Sequence, residues 1–273
     1  MIKKQRAFLK WAGGKYKLAD KILDLCPQGE RLVEPFVGAG SIFLNSNYKH
    51  HILCDINKDL IGLYELVKKD VDEYIYHSKQ LFNDENNDKQ RYYQFRDKFN
   101  QSNDKLERAV LFLYFNRFGF NGLCRYNKSG GFNVPFGSYK RPYFPEAELV
   151  AFAEKAQTAE FHCIGYQQAF KLAQPGDVIY CDPPYAPLST TSNFTTYASS
   201  GFSLDDQAQL AVEARQSAYE NGVPVVISNH DTVLTRELYH GAKLSSIEVQ
   251  RNISQKATTR IKVPELIAQY IKQ

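Results

Sequence analysis

The chain has 273 residues, 43% apolar and 23% charged, the make-up of an ordinary folded protein, which excludes disordered and fibrous classes. Lys and Arg number 34 against 30 Asp and Glu, a formal charge of +4, so a polyanionic partner has to be met by local basic patches. No run approaches the roughly 20 apolar residues a membrane span needs, and the N-terminal MIKKQRAFLKWAGGK lacks the apolar core of a secretory signal.

The chain opens as strand, turn and helix. Residues 31–37 (RLVEPFV) are a short apolar run ending in VGAGS, with a helix-like stretch behind it. A second apolar run, His51–Asp55, and a helical stretch around Asp59–Lys69 continue what reads as a parallel α/β sheet. Residues 57–118 are charged, rich in Tyr and Phe, and helical, with no clear β-run. Residues 119–141 change character. LCRYN and FNVPF flank Lys128-Ser129-Gly130-Gly131, and glycine supplies the positive φ of hairpin turns, so a β-hairpin or a long ordered loop is expected. Asp177–Cys181 (DVIYC) reads as a third strand, ending in DPPY. Residues 186–201 are small and hydroxyl-rich and read as a mobile loop. Leu204–Tyr219 has helical periodicity, and Pro224–Ser228 (PVVIS) is a fourth strand ending in Asn229-His230-Asp231. The fold class is α/β: a Rossmann-like sheet with an inserted helical module carrying a β-hairpin. Residues 1–56 and 145–273 are assigned to a catalytic domain and 57–144 to a recognition domain.

Five cysteines (Cys26, Cys54, Cys124, Cys163, Cys181) are scattered and form no C-x-x-C pair, as expected of reduced core thiols in a cytoplasmic protein. Six histidines form no H-E-x-x-H, and no metal site is expected.

Two constellations carry chemistry. In Glu34-Pro35-Phe36-Val37-Gly38-Ala39-Gly40-Ser41, a strand feeds a turn whose glycines let backbone N–H groups approach a ligand. Asp55, at the end of the next strand, can accept two hydrogen bonds from ribose hydroxyls. Phe43 stands where a nicotinamide fingerprint needs a third small residue, and Tyr16 after Gly14-Lys15 breaks a Walker A loop. An unliganded tight turn would show the same glycines. Asp182-Pro183-Pro184-Tyr185 is more specific. Two prolines remove backbone donors, which leaves a carboxylate, carbonyls and an aromatic face. Such a set suits a flat ring bearing an amino group, as on a nucleobase.

Together these residues resemble the amino-methyltransferases that use S-adenosylmethionine. Phe8-Leu9-Lys10-Trp11-Ala12-Gly13-Gly14-Lys15, EPFVGAGS, Asp55-Ile56-Asn57, NRFGFNGLCRYN, FNVPFG, PYFPEAEL, DPPYAPLS and ISNHD stand in the order of the Dam-type DNA adenine methyltransferases, over nearly the whole chain. The resemblance implies methylation of adenine N6 in double-stranded GATC, with S-adenosyl-L-methionine as donor and S-adenosyl-L-homocysteine as product. It places Trp11, Lys15 and Glu34 at the cofactor. Phe36, Gly38, Ala39 and Gly40 line the cofactor pocket, Asp55 holds the ribose, and Asp182 borders it. Asp182 and the Pro183 carbonyl accept from the target amino group, whose nitrogen attacks in line, and Tyr185 stacks on a flipped base. Cytosine C5 chemistry would need a Pro-Cys nucleophile, which the sequence lacks.

Sequence reading falls to residues 119–141. Arg125 is the candidate for a guanine, Leu123 and Pro135 for a thymine methyl, Lys10 for the first base pair, and Phe120 for a wedge. Asn121, Asn127, Lys128, Lys140 and Arg141 are candidates for phosphate contact. A basic stretch (Arg251, Lys256, Arg260, Lys262) reads equally as backbone binding or a soluble tail. Asn229-His230-Asp231 is expected to support the active site. The expected protein is a cytoplasmic monomer. The rival readings are an RNA adenine or DNA cytosine-N4 methyltransferase, and a silent DNA-binding relative.

Overall fold

The computed structural model describes residues 4–186, 202–250 and 262–272. Two compact units emerge. One comprises Met1–Asp20, Val37–Asn47 and Asp55–Cys163; the other comprises Lys21–Phe36, Tyr48–Cys54 and Ile164–Gln273.

The second unit is built on β1 (Arg31–Glu34), β2 (His50–Cys54), β4 (Asp177–Cys181), β5 (Val225–His230), β6 (Lys243–Gln250) and β7 (Lys262–Tyr270). With β3 (Ala159–His162), the described residues form a sheet in the order β3-β2-β1-β4-β5-β7-β6. Strands β2, β1, β4 and β5 run parallel, and β7 runs antiparallel between β5 and β6. Every residue of β4 is buried, as in a parallel strand covered on both faces. Val33, Ile52, Ile179, Ile227 and Leu266 form the core with Leu210, Ala211 and Ala214 of the helix Leu204–Tyr219. Ser203 and Asp206 start that helix with a reciprocal capping box. Arg31 grips Asp177 with two hydrogen bonds (2.8 and 2.6 Å), fixing β1 against β4 at their N-terminal ends.

The four predicted strands and the helix 204–219 are present, with three boundaries moved: β2 spans His50–Cys54 and not His51–Asp55, β5 spans Val225–His230 and not Pro224–Ser228, and β1 stops short of Val37. β1 ends at Glu34, because Pro35 cannot donate to a ladder. The antiparallel pair β6 and β7 and the short β3 were not anticipated.

The first unit is mainly helical: α2 (Ser41–Asn45), α3 (Lys58–Lys69), α4 (Val71–Lys79), α5 (Lys89–Gln101), α6 (Lys105–Phe118) and α7 (Glu146–Ala156); the short α1 (Ala19–Leu23) falls at the boundary between the units' segments. Asn57, Asp70, Asp88 and Asp104 cap α3 to α6, each accepting a backbone N–H of the first turn. Helix α6 is buried from Ala109 to Phe118 and packs Tyr114 and Phe115 against Tyr92, Phe99 and Phe132. The segment 119–141 is hairpin-shaped but held by two isolated antiparallel bridges, Gly119 to Phe136 and Tyr126 to Phe132. Side chains of α5 supply the missing ladder bonds. Asn100 brackets the Phe132 backbone (2.8 and 3.1 Å), and the Tyr92 hydroxyl donates to the Val134 carbonyl (3.0 Å).

Candidate active site

In the first unit, the turn after β1 is held by its own glycines. Gly38 and Gly40 have φ of 48° and 70°, values glycine adopts without strain. A Cβ on Gly38 would lie 2.8 Å from Nε1 of Trp11, so the indole covers this backbone closely. The Gly38 N–H donates to the Asp55 carboxylate (3.2 Å), and its carbonyl accepts from the Tyr64 hydroxyl (2.6 Å). Asp55 also accepts from the Asn57 N–H (3.0 Å). Burial pushes the Asp55 carboxyl above its ordinary value, while the N–H groups of Asn57, Gly38 and Ile56 pull it down. With three N–H groups on its two oxygens, the carboxylate keeps one of about four lone pairs for a hydroxyl. Ala39 is buried, and Lys15, also buried, reaches the Gly13 carbonyl (2.8 Å). Ile56, beside Asp55, is 77% exposed. Sequence reasoning gave it no role; its signal is an apolar residue directly after the last strand residue and the carboxylate. A glycine turn, a buried carboxylate and an exposed apolar side chain are groups that could hold an adenosyl moiety.

In the second unit, β1 and β4 are parallel neighbours, so Glu34 and Asp182 leave the same edge of the sheet. Glu34 is 2% exposed. Phe36 stacks its ring on Tyr166, leaving its backbone for the turn. Asp182 is half-buried and Pro183 buried. Burial first, and then the Asp182 charge, push the Tyr180 and Cys181 side chains well above their ordinary values.

The tetrapeptide is pinned along its second half. The Pro184 carbonyl accepts from Gln207 Nε2 (2.6 Å). The Tyr185 hydroxyl donates to buried Glu265 of β7 (2.6 Å), and its ring meets His230 edge-on at 4.8 Å. The Ala186 N–H donates to Asn229 Oδ1 (3.0 Å), and the Ala186 carbonyl takes the His230 Nδ1 proton (2.7 Å). Asn229 donates in turn to Gln207 Oε1 (3.0 Å) and the Tyr239 hydroxyl (2.8 Å). Asn229 therefore anchors the loop, as expected of its motif. Asp231 is instead engaged by Arg236 in a two-bond pair (2.6 and 2.8 Å), which holds its carboxyl below the usual range. Gln207 and Glu265 were missed, since nothing local marks a helical Gln or a strand Glu as a loop anchor.

The candidate nucleic-acid contacts lie in the first unit. The Asn116 side chain bonds the Lys10 N–H and carbonyl (2.8 and 2.7 Å) and the Gly122 carbonyl (3.2 Å), joining these segments. Lys10 Nζ sits 4.5 Å from the Tyr139 ring, and the Tyr139 hydroxyl accepts the Asn121 N–H (2.9 Å). Phe120 is 45% exposed, and its N–H donates to the carbonyl of exposed Pro135 (2.8 Å). Lys10, Phe120, Asn121 and Pro135 are thus brought together, with Tyr139 an unforeseen member. Leu123 is half-buried; Arg125, Lys128, Lys140 and Arg141 are exposed. Asn133, also unforeseen, accepts from Arg125 through its side chain (2.7 Å) and carbonyl (3.2 Å). Asn127 turns its Oδ1 inward to the N–H groups of Ser129 (3.1 Å) and Gly131 (2.8 Å), closing the turn. Arg251, Lys256 and Arg260, and residues 187–201 of the hydroxyl-rich loop, lie outside the described residues; Lys262 begins β7.

The family model for D12 class N6 adenine-specific DNA methyltransferase matches residues 11–253. The chain is 59% identical over 267 residues to a DNA adenine methylase of Vibrio cholerae serotype O1, covering 98% of this chain and 96% of the relative. It is 58% identical over 269 residues to the DNA adenine methylase of Escherichia coli K12, with the same coverage. It is 54% identical over 269 residues to that of Serratia marcescens, covering 98% and 100%.

Proposed function

Since the chain belongs to the D12 class N6 adenine-specific DNA methyltransferases, it is an enzyme that methylates adenine N6 in DNA, and we propose that its substrate is duplex GATC, its methyl donor S-adenosylmethionine and its product S-adenosylhomocysteine. The observation that carries this reading is the acceptor-only tetrapeptide at the end of β4, held rigidly next to the strand that feeds the glycine turn. In this reading residues 57–144 form the DNA-recognition region, and the enzyme acts as a cytoplasmic monomer. No helix among the described residues is long and apolar enough to cross a membrane.

Trp11, Lys15, Glu34, the turn from Phe36 to Gly40, Asp55 and Ile56 are the residues assigned to the donor. When bound, S-adenosylmethionine supplies an electrophilic sulfonium methyl that the amino nitrogen takes in one in-line displacement. The chain's part is positioning and charge placement. Extruding the adenine costs a few kcal/mol, offset by stacking on Tyr185 and by hydrogen bonds to Asp182 and the Pro183 carbonyl. Two acceptors on one amino group draw its lone pair out of the ring and leave no donor to compete. Glu265 fixes the Tyr185 hydroxyl, so the ring is presented without a search over rotamers.

Labelled S-adenosylmethionine incubated with GATC duplex, scrambled duplex and RNA is expected to mark adenine in GATC alone. Label on cytosine, on RNA, equally on scrambled DNA, or on nothing overturns the proposal. The glycine turn gives a second expectation. Gly38→Ala combines a strained φ, worth about 1–2 kcal/mol, with a Cβ 2.8 Å from Trp11. Gly13→Ala carries a similar φ of 77° with nothing within 4 Å and serves as the control. Calorimetry is expected to show donor affinity reduced about tenfold or more in Gly38→Ala relative to Gly13→Ala. Equal affinities would remove the turn from the donor pocket.

A further inference from the structure

The segment from Leu123 to Asn127 alternates its side chains. Cys124 and Tyr126 turn to the start of α3, and Arg125 turns away to Asn133. The Asn57 amide donates to Cys124 Sγ (3.2 Å), and the Tyr126 hydroxyl donates to Asp59 Oδ2 (2.6 Å). Asp59 is 7% exposed and gripped by Arg108 through two bonds of 2.8 and 2.9 Å. Arg108 is fixed as well, by the carbonyls of Phe99 (2.6 Å) and Ser102 (2.9 Å) and by lying 4.1 Å over the Phe99 ring. The opposite limb of the loop is tied separately, Phe132 by Asn100 and Val134 by Tyr92. Main-chain bonds join the limb that carries Arg125 to the opposite one (Asn133 N–H to the Arg125 carbonyl, 3.1 Å; Asn127 N–H to the Gly131 carbonyl, 2.8 Å), and its charge-assisted tie to the helices is the bond to Asp59.

We infer that the Asp59–Tyr126 bond, backed by Arg108, positions the Arg125 guanidinium for reading a G·C pair and so helps set sequence specificity. The inference rests on the proposed GATC reading. A bidentate contact to a guanine tolerates little displacement of the fork. Arg125 is exposed and held at its tip only by Asn133 of the partner limb, so its aim depends on how firmly the two limbs keep their offset. Tyr126 spans that offset. Its ring packs edge-on to Phe132 at 5.6 Å while its hydroxyl reaches Asp59. Residues 57 and 59 follow Asp55 directly, so the stretch that leaves the ribose acceptor also steadies the reading loop.

The test compares kcat/KM on a GATC duplex and on a duplex with one G·C pair replaced by A·T, for wild type, Arg125→Ala, Tyr126→Phe and Asp59→Asn. Tyr126→Phe keeps the ring and is expected to lower the GATC preference about tenfold. Asp59→Asn keeps a weaker acceptor and is expected to fall between it and wild type. Thermal midpoints and donor affinity are read alongside, because a purely structural role lowers both rates together and leaves their ratio intact. An unchanged ratio in Tyr126→Phe, with Arg125→Ala losing its preference, overturns this inference alone. An unchanged ratio in Arg125→Ala overturns it together with the guanine-reading role. A wild-type enzyme without GATC preference overturns the proposed function.

Discussion

Asp182→Ala is expected to lower the single-turnover methylation rate by about 10²–10³-fold or more, with duplex affinity largely kept. The carboxylate leaves β4 from a fully buried strand, beside prolines that donate no N–H. On the proposed mechanism its removal deletes one of two acceptors for the amino group, and the only charged one in the tetrapeptide. Duplex affinity comes mainly from phosphate neutralisation by Lys and Arg elsewhere, so the binding isotherm and its salt slope should stay. Asp182→Asn should recover little, because its amide N–H₂ presents donors to a donor. Rapid-quench kinetics with anisotropy titration separates the two effects. A near wild-type rate would take Asp182 out of the chemistry.

Asn229→Ala is expected to damage both stability and turnover. Asn229 is wholly buried, and its amide joins the Ala186 N–H, Gln207 and Tyr239. Truncation strands several polar groups away from water, at about 1–3 kcal/mol for each one left unsatisfied. For a net loss of about 3 kcal/mol the thermal midpoint should drop by roughly 6–12 °C. Gln207 Oε1 then loses one of its two donors, keeping the Tyr239 hydroxyl (3.1 Å), so its hold on the Pro184 carbonyl is loosened while the Ala186 N–H just after the tetrapeptide is released. A displacement near 1 Å at a reacting group costs on the order of 10²-fold in rate. The expected signature is a fall in kcat with little change in KM for DNA, measured well below the new midpoint. A lowered midpoint with kcat intact would make Asn229 a core residue and nothing more.

Where the local pattern was strong, the sequence was sufficient. DVIYC, flanked by Gly176 and DPPY, is apolar enough to be a buried parallel strand in any arrangement, and it is one. The stretch 57–118 reads as helical and is so, with Asp88 and Asp104 each capping a helix within it. The glycine turn and the tetrapeptide were readable because their chemistry is carried by consecutive residues. Strand β7 was not readable. It holds Pro264 and reads KVPELIAQY, poor credentials for an interior strand. Its register explains the exception. Pairing with β5 begins at Glu265, so Pro264 lies beyond the end of β5 and owes it no N–H.

By itself, then, the order of residues determined the α/β class, the two motifs at strand ends and the turn-rich segment 119–141 proposed for nucleic-acid contact, because hydrophobic period, turn chemistry and motif spacing are local properties. Tertiary structure decided which polar side chains hold those motifs in place. Gln207 and Glu265 meet the tetrapeptide, and Asn229 the Ala186 that follows it, from one helix and two strands, and Asp59 meets Tyr126 from 67 residues away. Such bonds form only where packing excludes water and brings together groups far apart in the chain. The same packing left Ile56 exposed beside Asp55.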